Sequence, residues 1–404
     1  MNLNQYPLHA SSLVTHLFAR GMKQHRIKLF ALAISTLFVL FWSPQTLISS
    51  MSTFFWGLLE DLSMDMLRRQ FMEVLAKLGL AASFGDIGLA LVSSPTVEPQ
   101  EYLSLVGESI DTWWQWLNQG NFNKLERVLL TNVPILKRLA NTISSPFQSK
   151  AANLTVRAKI MQTVLAIHKF DFLECETHCT EAVHFGRLSG NHTVLAVALD
   201  WQGSTYIYCY RDPQRAIALF DDALMHLGSN DLLNRSSIYI NLSVAYAQKG
   251  DEIQALKYAN MARKAMPTHP ELDPFYPWLG IGPSELDQFE GKMHLHLAEY
   301  FPKSDYAQLA YDVCKKSISK QATDKDYPCG SLIKKADAAR ALGNMNGFVE
   351  DLTKGFRIGV EIDSIRRLNE ALAVIGRIPE KWQKENSIQN LHKDISHALI
   401  VVRR

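Results

Sequence analysis

Three residues on one turn of a predicted helix have side chains that can bind metal. Cys175, His178 and Cys179 form a C-x2-H-C pattern, which places two thiols and an imidazole on one helical face. Such groups are ligands for a soft metal ion. The pattern has no fourth ligand, however, and a buried cysteine behaves as a small hydrophobic residue. We therefore expect both cysteines to pack in a core and predict no metal site.

Other polar pairs along the chain also lack the spacing that a reactive site needs. His294 and His296 stand two residues apart, so on a helix they point to different faces. The adjacent carboxylates Asp221 and Asp222 lie between helix-packing residues, on a face that we expect to be solvated. Motifs for phosphate loops, nucleophile elbows, zinc proteases and dinucleotide sites do not occur. We predict a non-enzymatic protein with no catalytic residue and no cofactor.

The elements that position these residues are predicted to be helices arranged in repeats. From about residue 100, apolar residues recur at spacings of three and four, and helix-breaking residues separate the periodic segments. The clearest repeat runs over 236–269. Its first helix has large residues at Tyr239, Leu242 and Tyr246 with a small one at Ser243. A Gly250-Asp251 turn follows, and the second helix then has Ala255, Ala259 and Ala262.

This pattern resembles the tetratricopeptide repeat, a helix–turn–helix of 34 residues. Small residues let the two helices approach closely, and large ones fill the space toward the next hairpin. The same template fits upstream at 204–223 and 163–182 and, more loosely, near residues 116–125, 307–314 and 336–348. The resemblance implies an all-α fold, a right-handed solenoid of helical hairpins over 101–404. Helices near Ile365–Ile375 and Ser387–Val402 would cap its end.

Two further features follow from the repeat register. An insertion with five prolines, beginning at Pro267, interrupts the repeats and is expected to be an ordered loop or a short extended piece. Within each repeat, the fifth and twelfth places line the concave groove of tetratricopeptide folds. The resemblance thus implies a peptide-binding groove, with aromatic anchors and with amides for backbone hydrogen bonds. The candidate ligand-binding residues are Arg157, Trp201, Tyr208, Asn241 and Gln248.

The layout of the chain narrows the resemblance further. Segments 113–122, 166–192, 245–256 and 269–275 resemble the repeat region of bacterial helix-turn-helix transcriptional regulators that carry a tetratricopeptide sensor. The resemblance implies a sensor or interaction module that controls a DNA-binding head. No helix-turn-helix pattern precedes residue 100, so we expect no direct contact with nucleic acid.

The N-terminal quarter departs from the repeat pattern. Residues 29–48 contain no charge and are numerous enough to cross a bilayer core of about 30 Å. Basic residues precede this run, so the positive-inside rule would place the repeats outside the cell, whereas the family resemblance places them in the cytoplasm. We divide the chain into 1–60 with this candidate transmembrane helix, an amphipathic helix and linker at 61–100, and the repeats. We expect cytoplasmic repeats and keep a membrane anchor through 29–48 as an alternative.

Composition supports a folded protein and gives little evidence about the partner. The 404 residues include 42 Lys and Arg against 40 Asp and Glu, a balance that does not indicate a nucleic-acid binder. Five cysteines, an odd number, do not form a disulfide framework. The leading hypothesis is a non-enzymatic module that binds a peptide or protein in the groove. The alternatives are a headless regulator acting through a partner chain and a membrane-anchored assembly scaffold.

Overall fold

The computed structural model describes residues 98–320 and 326–402, and in this part of the chain every regular element is a helix. The all-α prediction is therefore confirmed. The helices pack in consecutive antiparallel hairpins, as expected for repeats that bury their apolar faces against a neighbour. The predicted segment 1–60, with the apolar run 29–48, lies outside the described residues, and so does the part 61–97 of the predicted segment 61–100. None of the helices in the described part is long and apolar enough to span a bilayer.

The hairpins are built from long helices joined by short turns. In chain order these are α1 (Pro99–Asn118), α2 (Phe122–Ala140), α3 (Gln148–Lys169), α4 (Phe172–Ser189), α5 (His192–Thr205), α6 (Pro213–Met225), α7 (Leu232–Gln248), α8 (Glu252–Ala265), α9 (Tyr276–Leu279), α10 (Pro283–Tyr300), α11 (Tyr306–Lys320), α12 (Asp326–Ala341), α13 (Met345–Glu361), α14 (Ile365–Ile375), α15 (Glu380–Gln383) and α16 (Asn386–Val402). A π-helical turn, Tyr206–Tyr210, extends α5.

Local sequence explains where many of these helices begin. Asp171, Asn191 and Asp251 each precede a helix, and each side chain accepts a hydrogen bond from a backbone amide of the first turn. Such capping satisfies an amide that has no partner within the helix. At Gly250 the turn between α7 and α8 takes φ +74°, and a Cβ there would lie 2.9 Å from the Tyr300 ring. Only glycine tolerates both the positive φ and the close approach of the Tyr300 ring.

The core follows the repeat register. Ala216, Phe220 and Ala223 on α6 are fully buried, as are Ala255 and Ala262 on α8. Cys175 and Cys179 on α4 are also fully buried, in the places that the template assigns to packed residues. Close approach of helix pairs therefore depends on small side chains at regular intervals, which is what the spacing predicts.

The first helices of the hairpins form an inner layer that closes into a ring. Each packs on the next in the order α3, α5, α7, α10, α12 and α14, and α14 packs back on α3. The predicted helix Ile365–Ile375 is present as α14, but it is not simply an end cap. It joins the last hairpins to the first, while α16 packs behind it.

Two contacts close the ring. The His168 ring at the end of α3 lies with Nδ1 at 2.7 Å from the Oγ of Ser364, which begins α14. Both side chains are buried. Nearby, Gly120 sits so close to Ile362 that a Cβ on Gly120 would lie 3.1 Å from the Ile362 Cβ. These two contacts, which we call the closing contacts, join chain segments that lie 196 residues apart for His168 and Ser364 and 242 residues apart for Gly120 and Ile362.

Candidate functional site

A cavity of about 480 Å³ occupies the centre of the ring. Every inner helix contributes side chains to its wall, and so does α1. The size falls within the range of small-molecule and peptide-end sites. Arg211, Glu299 and Tyr300 line the cavity and are exposed, so they mark where it meets solvent.

Four of the five residues predicted from the sequence line this cavity. These are Trp201, Tyr208, Asn241 and Gln248, which come from α5, its π-helical extension and α7. Arg157 does not line it. The Arg157 guanidinium instead stacks on the ring of Trp278, 3.5 Å from its centroid. The predicted set is thus brought together except for one residue, which supports a neighbouring element.

Asn241 and Tyr208 belong to a hydrogen-bond network inside the wall. The Tyr208 hydroxyl donates to Asn241 Oδ1 over 3.0 Å, and Asn241 Nδ2 donates to Asp200 Oδ1 over 2.9 Å. Asp200 also accepts from the Ser237 hydroxyl at 2.7 Å. Burial raises the pKa of Asp200 to about 6, although these two donors act in the opposite direction. Asn241 therefore uses its amide to hold Tyr208 in place.

The π-helical turn brings Tyr208 to this position. The Asp212 amide donates to the Tyr206 carbonyl over 2.9 Å, and Arg211 between them takes a left-handed φ of +54°. A non-glycine residue in this conformation carries a small backbone strain. π-helical turns within α-helices occur frequently at functional sites. Here the turn lies against the cavity and ends at its rim.

The proline-rich insertion forms another part of the wall. It contains a 3₁₀ turn, Pro270–Leu272, followed by the short helix α9, whereas the sequence predicted a loop or a short extended piece. Trp278 is fully buried, and its carbonyl accepts a hydrogen bond from Trp201 Nε1 over 3.1 Å. Pro277 and Leu279 beside it line the cavity. The insertion is thus held between α3 and α5 through Arg157 and Trp201.

Cationic side chains from the last inner helices crowd the opposite wall, and the arginines among them have anionic partners. Arg366 Nε and Arg367 Nη1 lie 2.9 and 2.8 Å from the two carboxylate oxygens of Glu370. Arg377 reaches Asp337 at 2.7 Å and Glu299 at 3.0 Å. Burial alone would raise the pKa of Glu370, but the neighbouring arginines hold it well below its ordinary value.

Two lysines on the same wall have no carboxylate partner. Within the part of the chain that the structure describes, no carboxylate lies within ion-pairing distance of Lys292 Nζ or Lys334 Nζ. Lys292 Nζ lies 3.6 Å from the Tyr208 ring centroid, and Lys334 Nζ donates only to the Gly330 carbonyl, at 3.3 Å. Burial, and then the charge of Arg367, lower the pKa of Lys334 to about 8. Burial and Lys334 lower the pKa of Lys292 well below its ordinary value.

Gln248 and His296 lie between the two walls. Gln248 Nε2 donates to the Ile207 carbonyl over 3.3 Å and lies 3.4 Å from His296 Nε2. The buried Gln248 Oε1 has no hydrogen-bond partner among the described residues. Such a buried acceptor without a partner is uncommon in folded proteins. Burial lowers the pKa of His296, which favours the neutral form of its ring, although Glu299 acts in the opposite direction.

The other sequence candidates, except His296, lie away from the cavity. Cys175 and Cys179 face the Thr205 hydroxyl at 3.4 and 3.2 Å inside the core, and Thr163 lies 3.4 Å from Cys179. His178 points to Lys159. His294 stacks on Tyr306, whereas His296 faces the cavity, so the two histidines diverge as predicted. Among the described residues no group of His, Cys, Asp or Glu is arranged to hold a metal ion.

Sequence reasoning missed the basic wall, although one signal for it was present. Lys292 stands fifteen residues before Ala307, as Trp201 stands fifteen before Ala216, so the repeat register assigns both to the groove. No comparable signal identifies Lys334 or Arg366. They reach the cavity because α14 packs against α3. Local sequence spacing does not predict this contact.

The chain matches no protein-family model and none of the curated proteins with which it was compared.

Proposed function

We propose that this protein is a non-enzymatic binding module that encloses a short peptide, or another ligand of similar size, inside a ring of helical hairpins. The hairpins would form the tetratricopeptide-like, right-handed array that the repeat spacing predicts. The observation that carries the proposal is the cavity of about 480 Å³ with polar side chains from successive inner helices. A folded protein domain would not fit this volume, so the bound group is a short chain or a small molecule.

The composition of the wall supports binding rather than catalysis. Trp201 and Tyr208 supply aromatic surface, and the Gln248 side chain adds a polar group to the wall. Ser364 and His168 are within hydrogen-bond distance, as in a nucleophile–base pair. Yet Ser364 Oγ is fully buried and also accepts the capping bond from the Arg367 amide. We assign this pair to ring closure.

Peptide capture by a cavity-blocked variant tests the proposal. Ala373 on α14 lines the cavity and is exposed within it, so Ala373→Trp should fill the space without disturbing the core. A pool of random short peptides is passed over immobilised protein, and the retained peptides are identified by mass spectrometry. We expect retention by the wild type and its loss in Ala373→Trp. The control, Ala341→Trp, changes an exposed residue of α12 away from the cavity and should retain the same peptides. Retention of no peptide, or equal retention by all three proteins, would contradict the proposal.

A second candidate function is that of a membrane-anchored scaffold. The uncharged segment 29–48, with basic residues before it, favours an anchored scaffold that displays the binding ring. Fractionation of full-length protein and of a form lacking residues 1–50 distinguishes the two. Sedimentation of only the full-length protein with membranes would support anchoring, and protease protection would then report which side carries the ring. A soluble full-length protein would leave the headless-regulator hypothesis, in which a partner chain supplies the DNA-binding head.

A further inference from the structure

The strongest unexplained feature of the cavity is its surplus of positive charge. Lys292 and Lys334 lie on adjacent inner helices, α10 and α12, and both line the cavity. Glu370, an acidic group whose charge acts on both lysines, is already bound by Arg366 and Arg367. The two ammonium groups therefore face the cavity without a counter-ion from the described residues.

Keeping two such cations partly buried and unpaired is energetically unfavourable. Desolvation and repulsion by a neighbouring cation oppose the charge of each lysine, since burial and Lys334 lower the pKa of Lys292, and burial and Arg367 lower the pKa of Lys334. A protein of ordinary stability usually pairs such groups or exposes them. The arginines on the same wall are paired in this way, which makes the two lysines exceptional among the neighbouring cations.

We propose that Lys292 and Lys334 together form a binding site for an oxyanion, a carboxylate or a phosphate, carried by the ligand of the ring. This inference rests on the proposed function, since it assigns a chemical class to what the same cavity binds. A bound oxyanion would supply the missing counter-charge and accept hydrogen bonds from both ammonium groups.

The surroundings of the two lysines suit such a group. The Lys292 ammonium lies over the Tyr208 ring, and the Tyr208 hydroxyl is hydrogen-bonded to the Asn241 amide oxygen. These contacts hold the cation in place before a ligand binds. Charge-assisted hydrogen bonds in a desolvated pocket are the strongest polar contacts available to a small ligand.

Simple anions test the site without knowledge of the natural ligand. The protein is titrated with inorganic phosphate and, separately, with succinate, at constant ionic strength set by sodium chloride, and the melting temperature is recorded. We expect a saturable rise in the wild type with at least one of the two anions. The one that acts more strongly identifies the group as phosphate or carboxylate. The double variant Lys292→Met with Lys334→Met should weaken the apparent affinity at least about tenfold.

A matched variant controls for the change in net charge. Lys315 and Lys384 are exposed and lie away from the cavity, so Lys315→Met with Lys384→Met removes the same charge and should respond as the wild type does. No stabilisation by either anion would overturn the proposal. Equal responses of the two double variants would also overturn it, because the effect would then reflect the surface.

The peptide pool separates failure of this proposal from failure of the proposed function. If the wild type and the Lys292→Met, Lys334→Met variant retain the same peptides with the same affinity, the ring binds ligands but the lysines do not recognise an anion. If neither protein retains a peptide or responds to an anion, both proposals fail. Loss of affinity on amidation of a peptide's C-terminus, seen in the wild type and absent in the variant, would support the oxyanion site directly.

Discussion

The Tyr208 hydroxyl donates a hydrogen bond of 3.0 Å to Asn241 Oδ1, and this bond links a π-helical turn to the middle of the next inner helix. Both residues were candidates for ligand contact, yet each uses its polar group on the other. The ring face of Tyr208 remains available and supports Lys292. Asn241 thus acts on the ligand site through Tyr208 rather than by direct contact.

Removing this bond should lower stability by a moderate amount. In Tyr208→Phe the buried Asn241 Oδ1 loses its donor, and we expect a loss of about 1–2 kcal/mol in the free energy of unfolding. Chemical denaturation measures it. Tyr258→Phe is the control, since the Tyr258 hydroxyl makes no hydrogen bond with the described residues. Equal stability of the two variants would show that the Tyr208 bond is unimportant.

The buried carboxyl of Asp200 should make stability depend on pH. Its pKa in the folded protein is about 6, above the ordinary 3.8, so its protonated form is favoured on folding. The associated stabilisation is complete below about pH 4 and is lost as the pH rises through 6. The difference between the two pKa values corresponds to about 3 kcal/mol in the free energy of unfolding. Relative to Asp200→Asn, the wild type should therefore lose stability between pH 4 and 7.

The control for this experiment is Asp394→Asn, which alters an exposed residue of α16. Its unfolding free energy should run parallel to that of the wild type over the same pH range. A constant difference between the wild type and Asp200→Asn would mean that Asp200 titrates normally.

The closing contact between α3 and α14 should contribute more than helix capping alone. Ser364→Ala removes both the cap of α14 and the hydrogen bond to His168. Asn344→Ala removes only the comparable cap of α13. Capping is typically worth about 1 kcal/mol, so we expect Ser364→Ala to be more destabilising by about another 1 kcal/mol. Hydrogen exchange should also become faster at the end of α3 in Ser364→Ala only. Equal effects of the two variants would indicate that the ring closes without this bond.

The tether between Trp201 and the insertion is testable by removing one hydrogen-bond donor. Trp201→Phe keeps an aromatic ring but loses the bond to the Trp278 carbonyl. We expect faster amide exchange over residues 276–282, by roughly five- to tenfold for a bond worth about 1 kcal/mol. Trp113→Phe is the matched control because the buried Trp113 Nε1 has no partner among the described residues. Unchanged exchange in Trp201→Phe would argue against the tether.

Arg157 should support the insertion without contacting the ligand. Arg157→Met removes the stacking on Trp278, which is worth about 0.5–2 kcal/mol. We expect lower stability and faster exchange in α9, together with peptide affinity within about twofold of the wild type. A large loss of peptide affinity at unchanged exchange would restore Arg157 as a ligand contact.

Local sequence was sufficient for the helices, their pairing and half of the cavity wall. Periodic apolar residues, small residues such as Ala216 and Ala255, and capping residues such as Asp251 act over one or two turns, so their effect can be read from spacing. Trp201, Tyr208 and Gln248 were found because the repeat register relates each of them to its own hairpin. The register also assigns Lys292 to the groove.

Ring closure was decided only by the tertiary structure. The contact of His168 with Ser364 depends on small rotations between successive hairpins that add up around the ring. No single residue determines the total of these rotations. The same closure brings Lys334 and Arg366 to the cavity, and the insertion turns Arg157 from the groove toward Trp278. Spacing along the chain thus determined which residues are buried within each hairpin, and the accumulated geometry determined which of them meet at the centre.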